Sequence, residues 1–194
     1  MLFGKKLREL SFLVYGLGLT GKSVVNFFIR NKIKNFEVWD DKYHLYKEKK
    51  SKNLKKSLKK ANYIVLSPGV SLLNSKNSKK LKKFKKKIIT DIDLMFLFKR
   101  NFKSIVVTGT NGKSTTSKII THMLKKNNFK VFLGGNIGRP ILDINVKKNC
   151  YLVIEASSFQ LSHSKFLSPD YAMILNITND HIDWHGSMKN YKDA

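Results

Sequence analysis

Ser104-Ile105-Val106-Val107-Thr108-Gly109-Thr110-Asn111-Gly112-Lys113-Ser114-Thr115 decides the fold. An apolar strand over residues 104–107 runs into a glycine loop, and residues 114–126 continue with helical periodicity. Strand, glycine loop and helix in that order describe a phosphate-binding loop, the P-loop. Glycines let backbone N–H groups converge on phosphate oxygens, and the helix N-terminus adds the positive end of its dipole. Lys113 reaches the terminal phosphates, and the Ser114 hydroxyl can ligate Mg²⁺. The general form Gly-x-x-x-x-Gly-Lys requires glycine at position 107, where this chain has Val107, so the loop is a variant. A turn needed only for chain reversal would have no use for a lysine and two hydroxyls after Gly112.

The same alternation of strand and helix extends to both sides. Upstream, residues 11–15 form a short apolar run that ends in Gly16-Leu17-Gly18-Leu19-Thr20-Gly21, and residues 23–29 place Val24, Val25, Phe28 and Ile29 at helical spacing. Phe36 to Trp39 is a second strand closing on Asp40 and Asp41, and Tyr63 to Leu66 a third closing on Ser67-Pro68-Gly69. Ile88-Ile89 is a short apolar piece, followed by an amphipathic helix over residues 91–99. Downstream of the loop, strands are expected over residues 131–133, 151–155 and 172–176. This pattern predicts an α/β chain with parallel, doubly wound sheets whose ligands sit beyond the carboxyl ends of the strands. It divides into a Rossmann-like domain over residues 1–100 and a P-loop α/β domain over residues 101–194, with the boundary near Arg100 to Phe102.

Gly16 to Gly21 matches Gly-x-Gly-x-x-Gly, and Asp40 stands where a ribose-binding acid is expected. A dinucleotide site, and hence a dehydrogenase, is one reading of that turn. Two phosphate loops in one short chain fit it poorly. A molecule carrying its own diphosphate and nucleoside, such as a UDP-sugar, could occupy the first loop while ATP occupies the second.

The net charge of +25 invites a nucleic-acid reading, but nine lysines fall between Lys42 and Lys60 and eight between Lys76 and Lys87, so the excess is local. These runs carry almost no aromatic residues for base stacking, and a solvated face with no nucleic-acid partner is expected. Cys150 is the single cysteine, which fits a reducing compartment. Lys5, Lys6 and Arg8 before an apolar run mimic a secretory signal, but Gly16, Gly18 and Gly21 break it. No apolar run approaches the roughly 20 residues that cross a bilayer, so a soluble, cytoplasmic protein without membrane insertion is expected.

Six segments in order carry a resemblance: Gly16 to Gly21, Ser67-Pro68-Gly69-Val70, Thr108 to Thr115, Gly134-Gly135-Asn136-Ile137-Gly138, Glu155-Ala156-Ser157-Ser158-Phe159-Gln160-Leu161, and Asn179-Asp180-His181-Ile182-Asp183. Together they resemble the Mur ligase family of ATP-dependent amino acid ligases, and most its D-glutamate-adding branch.

The resemblance implies ATP and Mg²⁺ as cofactors, and UDP-N-acetylmuramoyl-L-alanine and D-glutamate as substrates, with the chain acting as a monomer. Gly109, Thr110, Asn111, Gly112, Lys113, Ser114 and Thr115 would hold ATP. Gly18, Leu19, Thr20, Gly21, Asp40, Asp41, Gly69, Asn136, Ser158 and Gln160 would hold the UDP-sugar. Ser114, Glu155 and His181 would face the metal, and Lys113 and His181 would act in catalysis. Ser157 reads equally well as a helix cap. His163, Trp184 and His185 receive no role. By the same resemblance the P-loop domain is incomplete and a C-terminal domain is missing, so the 194 residues alone are expected to be inactive, with an unpaired apolar edge beside the last strand.

Overall fold

The computed structural model describes residues 8–42, 45–98, 101–146 and 148–194. Lys5, Lys6 and the Arg100 end of the expected boundary lie outside the described residues. The chain forms two four-stranded parallel sheets.

The first sheet contains β1 (Phe12–Tyr15), β2 (Phe36–Trp39), β3 (Tyr63–Leu66) and β4 (Ile88–Ile89), in the order β2-β1-β3-β4. Helix α1 (Leu19–Arg30) follows β1, α2 (Leu54–Lys60) precedes β3, α3 (Ser78–Lys82) precedes β4, and α4 (Asp91–Phe98) leaves the sheet. Side chains alternate across a strand, and β1 uses both faces for burial. Phe12 and Val14 join α1 and α4 in one cluster, whereas Leu13 and Tyr15 join Leu54, Leu58 and Leu81 in another. Sequence spacing therefore becomes a core on each side of the sheet.

The lysine-rich segments cover that second face. Leu54 and Leu58 lie one helical turn apart on α2 and are buried, as is Leu81 of α3, while the neighbouring lysines remain at the surface. Asn53 caps α2 by accepting from Lys56 N, and Lys87 Nζ closes its far end on the Lys59 and Ala61 carbonyls. Lys42 and Lys76, both exposed, also line the main cleft.

The second sheet contains β5 (Phe102–Thr108), β6 (Val131–Gly135), β7 (Cys150–Glu155) and β8 (Tyr171–Ile174), in the order β6-β7-β5-β8. Helix α5 (Lys113–Lys126) follows β5, α6 (Ser158–Leu161) follows β7, and α7 (Ile182–His185) and α8 (Met188–Lys192) come after β8. Strand β8 is one edge of this sheet, with Tyr171, Met173 and Ile174 exposed.

One hydrophobic cluster spans both sheets, joining Phe12, Val14 and Val65 to Val106, Leu152 and Ile154 through α4 and the 3₁₀ turn Ile141–Asp143. The expected amphipathic helix over residues 91–99 is instead buried on all sides from Asp91 to Phe96, because it is covered by both sheets. Polar contacts lock the seam: Ser23 Oγ donates to Asp143 Oδ1 at 2.8 Å and Arg30 Nη2 to the Leu142 carbonyl at 2.7 Å.

Leu58, fully buried, holds a helix whose remaining surface is mostly lysine. Leu58→Ala is expected to destabilise the fold by about 2–5 kcal/mol, whereas Lys59→Gln should change it by less than about 0.5 kcal/mol. Denaturant unfolding of the two variants measures the contrast.

Candidate functional site

The carboxyl edges of both sheets meet at a cleft of about 730 Å³. From the first sheet it is lined by Gly18, Leu19, Thr20, Asp40, Asp41 and Gly69, and from the second by Asn136 and Gln160. Strand order reverses beside β1, so the turns after β1 and β3 splay apart there and open a crevice.

Gly21 lies behind this turn and not among the cleft-lining residues. A Cβ on it would run into the Gly16 carbonyl oxygen, so glycine allows α1 to sit directly on the end of β1. Ser67 Oγ donates to the same carbonyl at 2.8 Å and ties β3 to the turn.

Asp40 Oδ2 accepts from Leu17 N at 2.5 Å and Oδ1 from Lys42 N at 2.7 Å, so this acid braces the glycine turn. Asp41 accepts from Tyr15 Oη, Trp39 Nε1 and Asn77 Nδ2. Burial, and then the hydrogen bond to Asp41, push the Tyr15 phenol above its ordinary pKa.

The phosphate-type loop stands at the end of β5. Lys113 Nζ donates to the carbonyls of Gly109 at 2.6 Å and Thr110 at 2.8 Å, folded back over the loop. Gly112 takes a left-handed φ of 85° and starts α5, which puts Ser114 in the first turn. Ser114 Oγ donates to Glu155 Oε2 at 2.8 Å, and Asn136 Nδ2 donates to Glu155 Oε1 at 3.1 Å. Thr115 follows on the same turn.

Glu155 is 1% exposed, and among the described residues no lysine, arginine or histidine pairs with it. A buried carboxylate held only by neutral donors, with a serine hydroxyl and a carboxamide beside it, is a hard-oxygen set that fits Mg²⁺. Gly135 makes the arrangement possible. Its φ is 111°, and a Cβ there would strike the Glu155 carbonyl, so β6 approaches β7 closely enough for Asn136 N to donate to that carbonyl at 2.8 Å.

His181 makes its contacts elsewhere than Ser114 and Glu155. Its Nδ1 lies 3.3 Å from Asp180 Oδ1, and its ring meets Phe159 at a tilt and Tyr191 edge-on. Ser158 Oγ hydrogen bonds His185 Nε2 at 2.9 Å and does not line the cleft. Ser157 and Gln160 form a capping box on α6, so the capping reading of Ser157 holds. Gln160 Nε2 also donates to Asp91 Oδ1 at 3.1 Å, across the seam.

Several supporting residues escaped sequence reasoning. Asn176 clamps the loop by accepting from Asn111 N and donating to the Asn111 carbonyl, and Tyr191 Oη meets Thr110 Oγ1 at 2.8 Å. Both lie more than 60 residues from their partners, so no local pattern announces them.

Paired parallel sheets with a shared cleft, and a lysine-bearing glycine loop beside a buried carboxylate, define an α/β protein of the phosphate-loop class. Residues 11–90 match the Mur ligase MurD-like N-terminal domain, and residues 107–194 match the Mur ligase middle domain. The chain belongs to the Mur ligase family. A UDP-N-acetylmuramoylalanine--D-glutamate ligase of Wolbachia pipientis wMel is 43% identical over 192 residues, covering 92% of this chain and 36% of that protein. The proteins of that name from Buchnera aphidicola subsp. Schizaphis graminum and Rickettsia felis are 38% and 40% identical, covering 93% and 92% of this chain. The chain spans about 36 to 41% of the length of these relatives. The solved UDP-N-acetylmuramate:L-alanyl-gamma-D-glutamyl-meso-diaminopimelate ligase from Neisseria meningitides shares the fold, with a TM-score of 0.53 at 17% identity over 95% of this chain and 65% of that one.

Burial raises the Asp91 pKa to about 6. The folded state thus binds a proton more tightly than the unfolded chain, whose aspartate titrates near 3.9. Stability is highest below about pH 4 for this group and falls as pH rises to about 6, by roughly 3 kcal/mol. Asp91→Asn should remove this part of the slope, measured as the difference between the two unfolding free energies from pH 4 to 7.

Proposed function

We propose that this protein is the D-glutamate-adding ligase of peptidoglycan precursor synthesis, joining D-glutamate to UDP-N-acetylmuramoyl-L-alanine with ATP. One observation carries the reading: Asn136 lines the main cleft and also hydrogen bonds Glu155, which hydrogen bonds Ser114 of the phosphate loop. A substrate in the cleft and a nucleotide on the loop would therefore meet across a single chain of side chains. The names of the relatives that match both sheets point the same way.

In this reading residues 1–100 form the UDP-sugar domain and residues 101–194 the first part of the ATP domain. Gly18, Leu19, Thr20 and Gly69 hold the diphosphate and adjoining sugar, with Gly21 shaping the turn from behind. Asp40 and Asp41 lie beside the nucleoside, and Asn136, Gln160 and Ser158 serve the muramoyl-alanine end, Ser158 through His185. Gly109 to Thr115 hold ATP.

The L-alanyl carboxylate attacks the γ-phosphorus of ATP, the bond to the β-phosphate oxygen breaks, and ADP leaves an acyl phosphate. The D-glutamate amine then attacks the acyl carbon, loses a proton and expels phosphate. Both partners of the first step are anions, so positive charge must be supplied where they meet. Lys113 supplies part of it by leaving the Gly109 and Thr110 carbonyls and turning to the terminal phosphates. Ser114 and Glu155 would hold Mg²⁺, which neutralises phosphate charge when bound. In this reading His181 serves near the reacting carboxylate. With nucleotide substrates the reading also carries a cytoplasmic reaction, and a monomer, since both described walls of the cleft come from one chain.

In a protein extended to the full length of the relatives, Lys113→Ala is expected to lower ligase turnover by about 10³-fold while UDP-N-acetylmuramoyl-L-alanine affinity changes less than about three-fold, because the lysine does not line the main cleft. Phosphate release and equilibrium binding of the UDP-substrate, measured on the same folded variant, check this. Equal loss of both would overturn the division of labour between loop and cleft.

A further inference from the structure

We propose that the seam between residues 82–86 and the loop 162–165 is a second anion site, built for a compact polyvalent phosphate of the pyrophosphate class. The seam encloses about 480 Å³ and is lined by Lys82, Lys83, Lys85 and Lys86 from the first domain and by His163 and Lys165 from the second. None of these residues lines the main cleft or belongs to the phosphate loop.

Cations outnumber acids there. No carboxylate lines the seam, and among the described residues the ion pairs are Arg30–Asp143 and His181–Asp180, neither of which involves these lysines. The acid beneath it, Asp93, accepts from Lys165 N and Phe166 N through Oδ1 and from Thr90 N through Oδ2, and its charge attracts Lys165, while the four lysines of the opposite bank enter none of the ion pairs among the described residues. Lys82, Lys83, Lys85 and Lys86 are exposed, so water screens part of their mutual repulsion, and their crowding still raises the local potential that draws in an anion.

Two geometric features make the seam more than a lysine-rich surface. Lys165 Nζ donates to the Lys85 carbonyl at 3.2 Å and to the Lys86 carbonyl, so the two domains are pinned at a set separation with cations on both banks. His163 Nε2 is buried and has no hydrogen-bond partner among the described residues, which leaves a polar atom suited to an anionic oxygen. Titration agrees with this picture. Burial, and then the Lys85 charge, push His163 down to about 4, and burial followed by Lys85 also lowers Lys165 despite the attraction of Asp93.

Ligand class follows from what is present. Lysine ammoniums are point charges that suit clustered phosphate oxygens. No Phe, Tyr or Trp lines the seam, so there is no platform on which a nucleic-acid base would stack. A diphosphate that touches both banks should also stabilise the fold, since it binds only when the domains are docked.

The test titrates inorganic pyrophosphate into protein carrying Lys113→Ala, which silences the phosphate loop, while the imidazole resonances of His163 are followed by NMR. We expect saturable shifts of His163, and an affinity about ten-fold weaker or worse after Lys82→Gln, Lys83→Gln, Lys85→Gln and Lys86→Gln are added. A uridine diphosphate arm asks for the source: tighter binding with the same His163 shifts keeps the site and names a nucleotide as its ligand. Unmoved His163 resonances in the protein with its seam lysines intact overturn the proposal, whatever the four-lysine variant does. So does a single-stranded oligonucleotide that displaces pyrophosphate at about ten-fold lower concentration, which would make the seam a nucleic-acid face.

Discussion

A carboxylate carried into the interior at the end of β7 sets the terms for the rest of the site. Glu155 is 1% exposed, and an ionised group in that position loses several kcal/mol of hydration unless its oxygens are satisfied. Ser114 and Asn136 each satisfy one oxygen. Ser114 can do so only if the loop turns sharply enough at Gly112 for α5 to begin beside β7, and Asn136 only if Gly135 lets β6 close on β7. Two glycines, two neutral donors and three adjacent strand ends are thus selected by one charge. Neutral donors leave its negative charge uncancelled, which is the property a cation site needs.

The main cleft has a second requirement, because its two walls belong to different sheets. Their relative position is held at α4, where buried polar groups do what a purely apolar interface cannot. Asp93 accepts from Thr90 N on its own side and from Lys165 N and Phe166 N on the other, and Gln160 reaches Asp91. Apolar packing between the sheets is tolerant of sliding, whereas these bonds are directional and fix one register. Gln160 is also a wall of the cleft, so seam and site share a residue.

Much of this was legible in the sequence, for a physical reason. Strand β1 alternates faces within four residues, and the glycine loops announce their backbone demands directly, so both sheets and both turns could be placed from spacing alone. Helix α2 was hidden because only Leu54 and Leu58 mark its buried side among lysines, and two apolar residues are too few to show a period. Helix α4 showed an apparent amphipathic pattern because Asp91 and Asp93 look like surface residues; their buried partners lie about 70 residues away. The candidate site residues sit in recognisable segments, whereas those that position them, such as Asn77, Asn176 and Tyr191, are joined to them only by the fold.

The acids of the first turn show why a residue can satisfy two readings at once. Asp40 behaves as a turn acid, since its carboxylate accepts from Leu17 N and Lys42 N, yet it also faces the cleft. Asp41 is held by Tyr15, Trp39 and Asn77, and Asn77 in turn donates to the Tyr15 hydroxyl at 3.1 Å. Because the Tyr15 phenol is shifted upward by burial and by Asp41, it stays a neutral donor to that carboxylate throughout the physiological range. Every member of the network therefore has its partner before a ligand arrives. Such a wall does not have to be ordered by binding, so the conformational entropy of these side chains is lost during folding and does not weigh against affinity. Backbone N–H groups orient Asp40 and side-chain donors orient Asp41, and the bracing that fixes both carboxylates is what gives this wall of the cleft its shape.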